Sequence, residues 1–392
     1  MTPDLVESPS PSQRITHLDL LRASLMLLGI VIHSSFVFIT EQRWLIASFQ
    51  THVFFDYLTL SIHSFRMPAF YLLSGFLFAL VLARSTVLPF FITRAKRILI
   101  PLFTAGVLIN TLQIYVLDIA SIKSTVGLVN SQSCGSAAEL YQGSCWEFHL
   151  WFLIVLFYYF LFFIPIVHFA SKINIKIFVF GPQSYLWPLT LISFIVIIQA
   201  TYSAAYRGYF DFINYLPFLS DPKFYYYLPF FLFGVLLHYS KSRLDAWTRA
   251  GPVFLVLFIL SWAALLWGFN PQEDTISGYL RWSGRYNLWL YAAVAFQTTA
   301  FLVVMASKLP NIPAALATYV SDASYTIYLF HHILVFSFAY LFLNTFVPSG
   351  LQFVSILMLS AIASWAVHHY IVFRSPVAAC LVNGRTERLF GR

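Results

Sequence analysis

Charged side chains are scarce in this chain: Asp, Glu, Lys and Arg make up 10% of its 392 residues, whereas soluble proteins contain about 25%. A water-facing surface cannot be built from so few charges. Most of the chain is therefore expected to lie in a lipid bilayer. The 59% hydrophobic content and the mean hydropathy of +0.76 indicate the same. They exclude disordered, collagenous and coiled-coil proteins. The net charge of +8 is dispersed, which argues against nucleic-acid binding.

Cysteine is also scarce, and two of the three cysteines, Cys134 and Cys145, fall in one loop, 119–148. Two cysteines on the oxidising side of a membrane favour a disulfide. The sequence therefore predicts a Cys134–Cys145 disulfide, with two free thiols as the alternative.

Phosphate-loop, zinc-protease and nucleophile-elbow motifs are missing, and no Cys/His spacing suits a metal. We therefore predict no metal site.

Ten apolar runs come after a polar leader. Residues 1–13 lack the basic start and apolar core of a secretory signal and are expected to form a disordered cytoplasmic tail. About 20 apolar residues cross the hydrocarbon as a helix. We therefore predict an all-α, polytopic membrane protein with about ten transmembrane helices, near residues 15–39, 53–83, 98–118, 150–169, 186–204, 224–240, 252–269, 286–306, 316–343 and 351–372.

The run at 53–83 is longer than a bilayer requires, and it is expected either to project from the membrane or to break near Pro68. Residues 14–374 are predicted to be one transmembrane domain, followed by a cytoplasmic tail, 375–392. With the N-terminus inside, fifteen Lys and Arg lie in cytoplasmic segments and six in external ones. That bias predicts that both termini are cytoplasmic.

Polar residues form a stripe on the first predicted helix. Arg22 and His33 are eleven residues apart, which is about three turns and about 16.5 Å, so they share one face. Asp19 lies three residues before Arg22 and is expected to pair with it. A charge within a bilayer is costly and usually faces a cavity or a partner. His33 is therefore a candidate catalytic residue; the alternative is a buried histidine that only forms a structural hydrogen bond.

The second predicted helix repeats this pattern with Asp56, His63 and Arg66 nearly on one face. His63 and Arg66 are predicted to bind substrate; the alternative is an Asp56–Arg66 pair that holds helices together. Beyond them, Ser74-Gly75 would allow another backbone to approach closely.

Two further segments suggest ligand contacts. The cluster Arg94, Lys96 and Arg97 is either a positive-inside anchor or a phosphate-binding patch facing the cytosol. At the opposite interface, Glu147, His149 and Trp151 are predicted to contact substrate, although Trp151 also fits an ordinary aromatic belt.

The ninth run carries another polar face: Ser321, Tyr325, Tyr328 and His332 follow i, i+4, i+7 and i+11. Such a stripe is typical of a cavity wall, and we predict that Tyr328 and His332 bind substrate. His331 is expected to point elsewhere and to serve packing.

Several ordered segments resemble the integral-membrane acyltransferase 3 family. They are the R-x10-H spacing of Arg22 and His33 within LDLLRA…GIVIH, and then FYLLSGF, RAKRILIP, HLWFL and SYTIYLFH. The resemblance runs from Arg14 to about Phe373. The segments IHSFRM…SGF, HLWFL and YLFHH look most like a branch that resembles succinyltransferases of osmoregulated periplasmic glucans.

The resemblance implies a membrane O-acyltransferase in the bacterial cytoplasmic (inner) membrane. The expected donor is cytosolic acyl-CoA, succinyl-CoA favoured over acetyl-CoA, acting as co-substrate with no tightly bound cofactor. The expected acceptor is a hydroxyl of an extracytoplasmic glucan or other envelope glycan. Arg22, Arg94, Lys96 and Arg97 would bind the CoA phosphates, and His33 would act as base or acyl carrier. The alternative is a transporter or flippase whose pathway is lined by the same stripes, although the two halves show no convincing repeat.

Overall fold

The computed structural model describes residues 16–42, 44–116, 128–129, 148–172, 180–209, 219, 221–239, 247–270, 285–310, 312–342 and 345–386. The leader 1–13, Glu147 and the predicted Cys134–Cys145 disulfide lie outside these residues. The described chain is all-helical apart from two-residue antiparallel strands, β1 (Ile46–Ala47) and β2 (Leu128–Val129). Its helices are α1 (Thr16–Phe36), α2 (Val53–Leu82), α3 (Val87–Thr104), α4 (Trp151–Lys172), α5 (Trp187–Tyr206), α6 (Pro222–Tyr239), α7 (Pro252–Gly268), α8 (Arg285–Ala306), α9 (Ala314–Phe342), α10 (Ser349–Ala366) and α11 (Pro376–Asn383).

The multi-pass, all-α prediction is confirmed, with eight candidate spans in the described chain where the sequence predicts ten. These eight helices are long and apolar enough to cross a membrane. The predicted runs 224–240 and 252–269 are helical as α6 and α7 but fall outside that set. The physical reasons are local: α7 has only 17 residues, and α6 is diluted by a lysine, several tyrosines and two prolines.

Two predicted boundaries need correction. Helix α2 continues through Pro68 without a break, as helices packed within a membrane protein tolerate. Helix α3 begins at Val87 rather than near residue 98, so the Arg94–Arg97 segment lies inside it. It continues through a π-helical turn, Ala105–Asn110, and ends at Val116.

The bundle is centred on α1 and α2. Helix α1 packs against α2 and α9, and α2 packs against α6 and α8. The α2–α6 contact depends on two glycines, because a Cβ atom on Gly75 would lie 1.9 Å from the carbonyl oxygen of Phe231. A Cβ on Gly234 would lie 2.0 Å from that of Leu72. The predicted close approach at Ser74-Gly75 is therefore confirmed.

Gly75→Ala is expected to destabilise the protein, because the added methyl group meets rigid backbone and the two helices must separate. Overpacking of this kind costs about 1–3 kcal/mol. The measurement is the thermal unfolding midpoint in detergent, with Gly350→Ala as control. A Cβ on Gly350 meets nothing within 4 Å. Equal midpoints for the two variants would contradict the close contact.

The C-terminal segment folds back onto α3. Helix α11 is capped by Ser375, whose side chain accepts a hydrogen bond from the backbone N–H of Ala378. It ends at Gly384, whose φ of +62° favours glycine. A Cβ on Gly384 would lie 2.5 Å from the Cα of Arg97. The predicted tail, 375–392, thus contains a helix whose end is fixed against the basic segment of α3.

Candidate functional site

Two cavities lie within the bundle, and arginines mark the first. This arginine cavity has a volume of about 140 Å³ and is lined by Arg22, Arg94, Arg97 and Arg385, together with Ser321, Asp322, Tyr325 and Asn383. Arg22 donates a hydrogen bond to the Ser321 hydroxyl at 3.0 Å and lies 3.7 Å from the Asp19 carboxylate, as predicted. So dense a positive lining suits a ligand with several negative charges.

Helical spacing explains which residues of the basic segment reach this cavity. Arg94 and Arg97 are three residues apart and therefore lie on one face of α3. Lys96 is two steps from Arg94, about 200° around the helix. It is exposed and is not part of the cavity lining. The structure thus brings Arg22, Arg94 and Arg97 together but places Lys96 on another face.

Arg385 is a cavity residue that sequence reasoning missed. It reaches the arginine cavity from the segment after α11 and pairs with Asp322 at 2.5 Å. The only sequence signal was a basic residue after the last apolar run, which is typical of any cytoplasmic tail.

The second cavity, the histidine cavity, has a volume of about 330 Å³. Every predicted substrate-binding side chain that the structure describes lines it, together with the predicted catalytic residue: His33, His63, Arg66, His149, Trp151, Tyr328 and His332. These residues come from α1, α2, α9, the 3-10 turn Phe148–Leu150 and the first residue of α4. Glu147 lies outside the described residues.

Four imidazoles cluster beside this cavity, and three of them, His33, His149 and His332, line it. The ring centroids of His33, His149, His331 and His332 are all 4.7–6.4 Å apart. As expected, His331 does not line the cavity, but its ring centroid lies 5.2 Å from that of His33, so it packs against the cluster. In the described part of the chain, no three His, Cys, Asp or Glu side chains are arranged to hold a metal ion.

Hydrogen bonds fix the proton positions on three of these rings. His149 Nε2 and His331 Nδ1 lie 3.0 and 2.6 Å from the carbonyl oxygen of Tyr328. A carbonyl oxygen only accepts, so both rings donate there. His332 Nδ1 lies 2.8 Å from the side-chain oxygen of Gln113, which also accepts. His33 Nδ1 is buried and forms no hydrogen bond.

Arg66 occupies the same cavity. No carboxylate among the described residues forms an ion pair with it. Asp56 instead accepts hydrogen bonds from the backbone and hydroxyl of Thr40, which rules out an Asp56–Arg66 pair. The guanidinium packs against α1 at Gly29, where a Cβ would lie 2.9 Å from Nη1. Such a guanidinium favours an anionic ligand.

A narrow third cavity of about 10 Å³, the neck, lies between the two. It is lined by Leu25, Met26, Arg66, Met67, Phe70, Phe152 and Tyr328. Met26, Phe70 and Phe152 also line the arginine cavity, and Arg66, Met67, Phe152 and Tyr328 also line the histidine cavity. The neck has room for about one water molecule, so the cavities adjoin but are not openly connected.

Comparison with known proteins identifies the family of the chain. The profile described as an acyltransferase domain, Acyl_transf_3, matches residues 15–369. The chain belongs to the acyltransferase 3 family. Its relatives within the acyltransferase 3 family include glucans biosynthesis protein C from Escherichia coli strains SMS-3-5 and K12. Each is 27% identical over 347 residues, covering 84% of both chains. No solved structure matches the chain. The protein is therefore a membrane acyltransferase of this family, as the ordered sequence motifs predicted.

Proposed function

We propose that this protein transfers an acyl group from cytosolic acyl-CoA to hydroxyls of an extracytoplasmic glucan or related envelope glycan. Succinyl is the favoured group and acetyl the alternative, and the bacterial inner membrane is the proposed location. The observation that carries this proposal is the pair of adjoining cavities with different chemistry. The similarity to glucans biosynthesis protein C favours a glucan acceptor.

The arginine cavity is the proposed donor site. CoA carries several phosphate charges, and arginine binds phosphate through paired, charge-assisted hydrogen bonds. Arg22, Arg94 and Arg97 supply these, and Arg385 adds a fourth guanidinium that would move from Asp322 to a phosphate. The pantetheine arm then extends toward the neck, so that the thioester approaches His33.

The histidine cavity is the proposed reaction site. His33 either takes the proton of the attacking hydroxyl or accepts the acyl group itself. Aromatic walls from Trp44 and Trp151 suit the apolar faces of a sugar. The neck must open for the acyl-pantetheine arm, and it favours a transferase over a transporter or flippase because passage of a glycan would require a far wider opening.

Arg94→Ala combined with Arg97→Ala is expected to weaken acyl-CoA binding at least tenfold. Each phosphate contact is a charge-assisted hydrogen bond worth about 1.5–3 kcal/mol, and a tenfold loss corresponds to about 1.4 kcal/mol. The measurement is titration calorimetry of succinyl-CoA with the purified protein in nanodiscs.

The charge-matched control is Arg84→Ala with Arg374→Ala, which removes two exposed arginines that line neither cavity. We expect unchanged affinity for this control and an intermediate loss for Arg385→Ala. If the Arg94/Arg97 variant bound succinyl-CoA as tightly as the control, the arginines of α3 would be topology signals only.

A further inference from the structure

A buried glutamine forms a hydrogen bond with one of the histidines that line the histidine cavity. Gln113 is fully buried, and its side-chain oxygen lies 2.8 Å from Nδ1 of His332. It comes shortly after the π-helical turn Ala105–Asn110 of α3. A π-helical turn inserts one extra residue and rotates the next part of the helix by about 100°, and such turns are frequent at functional sites. The turn therefore helps to direct Gln113 at His332.

This contact determines which nitrogen of His332 is basic. The amide oxygen accepts the proton on Nδ1, so Nε2 keeps its lone pair. His332 lines the histidine cavity, and its Nε2 forms no hydrogen bond with a described residue. By contrast, His149 and His331 donate their ring protons to the Tyr328 carbonyl. Their other nitrogens, Nδ1 and Nε2 respectively, are buried.

A general base in an enzyme is usually held by a third group that fixes its tautomer. His332 has such a group in Gln113, whereas Nδ1 of His33 has none. We propose that Gln113 is a positioning residue that makes His332 the general base of acyl transfer and leaves His33 to carry the acyl group. This rests on the proposed acyl-CoA-dependent function and resolves the two roles left open for His33.

The reaction then proceeds in two balanced steps. His33 Nε2 attacks the thioester carbonyl carbon, a C–N bond forms, the C–S bond breaks, and CoA leaves as the thiolate. The acceptor oxygen then attacks the acyl carbon, a C–O bond forms and the C–N bond to His33 breaks. The hydroxyl proton passes to Nε2 of His332, which later releases it to solvent. The 4.8 Å separation of the His33 and His332 ring centroids places base and acyl group side by side.

The side chains that surround His332 make its contact with Gln113 important for stabilising the protonated ring. The titratable and charged side chains around it are His33 from α1, His63 and Arg66 from α2, His149 before α4, and Tyr328 and His331 on its own helix. No carboxylate lines the cavity among the described residues. The Gln113 oxygen is therefore the described acceptor that stabilises the protonated ring.

The test compares Gln113→Leu with Gln113→Glu in full-length protein in nanodiscs. Succinyl-CoA is the donor, and the acceptor is periplasmic glucan extracted from cells that lack this protein. Gln113→Leu is expected to lower glucan acylation about 10²-fold or more, the usual contribution of a general base. CoA release in the first turnover should persist, because His33 is intact. Gln113→Glu should retain transfer and move the acidic limb of the pH–rate profile up by about one unit or more, since a carboxylate stabilises imidazolium.

A second measurement does not depend on the donor. The ¹⁵N ring shifts of His332 report its tautomer, and we expect a proton on Nδ1 in the wild type that is no longer fixed there in Gln113→Leu. The matched control is Gln297→Leu, which removes another buried glutamine, one bonded to Ser261 and in neither cavity. It should change neither the profile nor the shifts. Unchanged His332 shifts in Gln113→Leu, or equal pH profiles for both Gln113 variants, would overturn the proposal. A wild-type protein with the expected shifts but no CoA release would instead refute the proposed donor.

Discussion

His33→Ala is expected to abolish acyl transfer while leaving the protein inserted and folded. His33 lines the histidine cavity on the same face of α1 that presents Arg22 to the arginine cavity. His33 supplies the imidazole on that face of α1, whether it carries the acyl group or takes the proton of the acceptor hydroxyl. Loss of a nucleophile or base costs several orders of magnitude in rate. The measurement is glucan acylation by purified protein, followed by mass spectrometry of the glucan.

The control on the same helix is His17→Ala, since His17 lines neither cavity. We expect it to keep wild-type transfer. The unfolding midpoints of both variants should lie close to that of the wild type, because His33 lines a cavity and its Nδ1 forms no hydrogen bond with a described residue. Near-wild-type turnover by His33→Ala would transfer the catalytic role to His63 or His332.

The sequence predicted those parts of the site that depend on helical periodicity. Arg22 and His33, eleven residues apart on α1, reach the two cavities as their shared face required. Likewise, Ser321 and Tyr325 line the arginine cavity, while Tyr328 and His332 line the histidine cavity. In a membrane helix polar residues are costly, so their spacing alone indicates the face that avoids lipid.

The residues that were missed depend on contacts between distant segments. His331 is one step from His332, so periodicity places it about 100° away. It nevertheless reaches the cluster because Gly29 on α1 leaves room beside it. Gln113 faces His332 after a π-helical turn, which has no reliable sequence signature. Arg385 depends on the return of α11 to α3, which a simple tail pattern does not reveal.

Eight candidate spans lie in the described residues, so the predicted number of about ten stays a prediction. Helices α6 and α7 exist where apolar runs were read, but neither meets the length and hydropathy of a typical span. Helix α6 carries its tyrosines and phenylalanines into the protein: Tyr226, Tyr227, Phe230 and Phe231 are almost fully buried. Contacts with neighbouring helices, rather than lipid, therefore account for much of its composition.

Arg66→Lys is expected to reduce succinyl transfer at least tenfold more than acetyl transfer. Arg66 lines the histidine cavity with no described carboxylate as partner, and the free carboxylate of a succinyl group would supply one. Guanidinium binds a carboxylate through two parallel hydrogen bonds, which the lysine ammonium copies poorly. Losing one charge-assisted bond of about 1.5–3 kcal/mol accounts for a tenfold difference. The measurement is kcat/KM for succinyl-CoA and acetyl-CoA with the same glucan.

Two further variants separate substrate binding from a structural ion pair. Asp322 pairs with Arg385 at the other cavity, which leaves Glu147 as the acid to test. If Glu147 neutralised Arg66, Glu147→Gln and Arg66→Lys would lower transfer from both donors equally. If Arg66 binds the succinyl carboxylate, Arg66→Lys should lower succinyl transfer selectively, whereas Glu147→Gln should affect both donors equally. Gly29→Ala should also lower succinyl transfer, because its Cβ would lie 2.9 Å from Nη1 of Arg66 and 3.3 Å from Nε2 of His331, so that both side chains must shift.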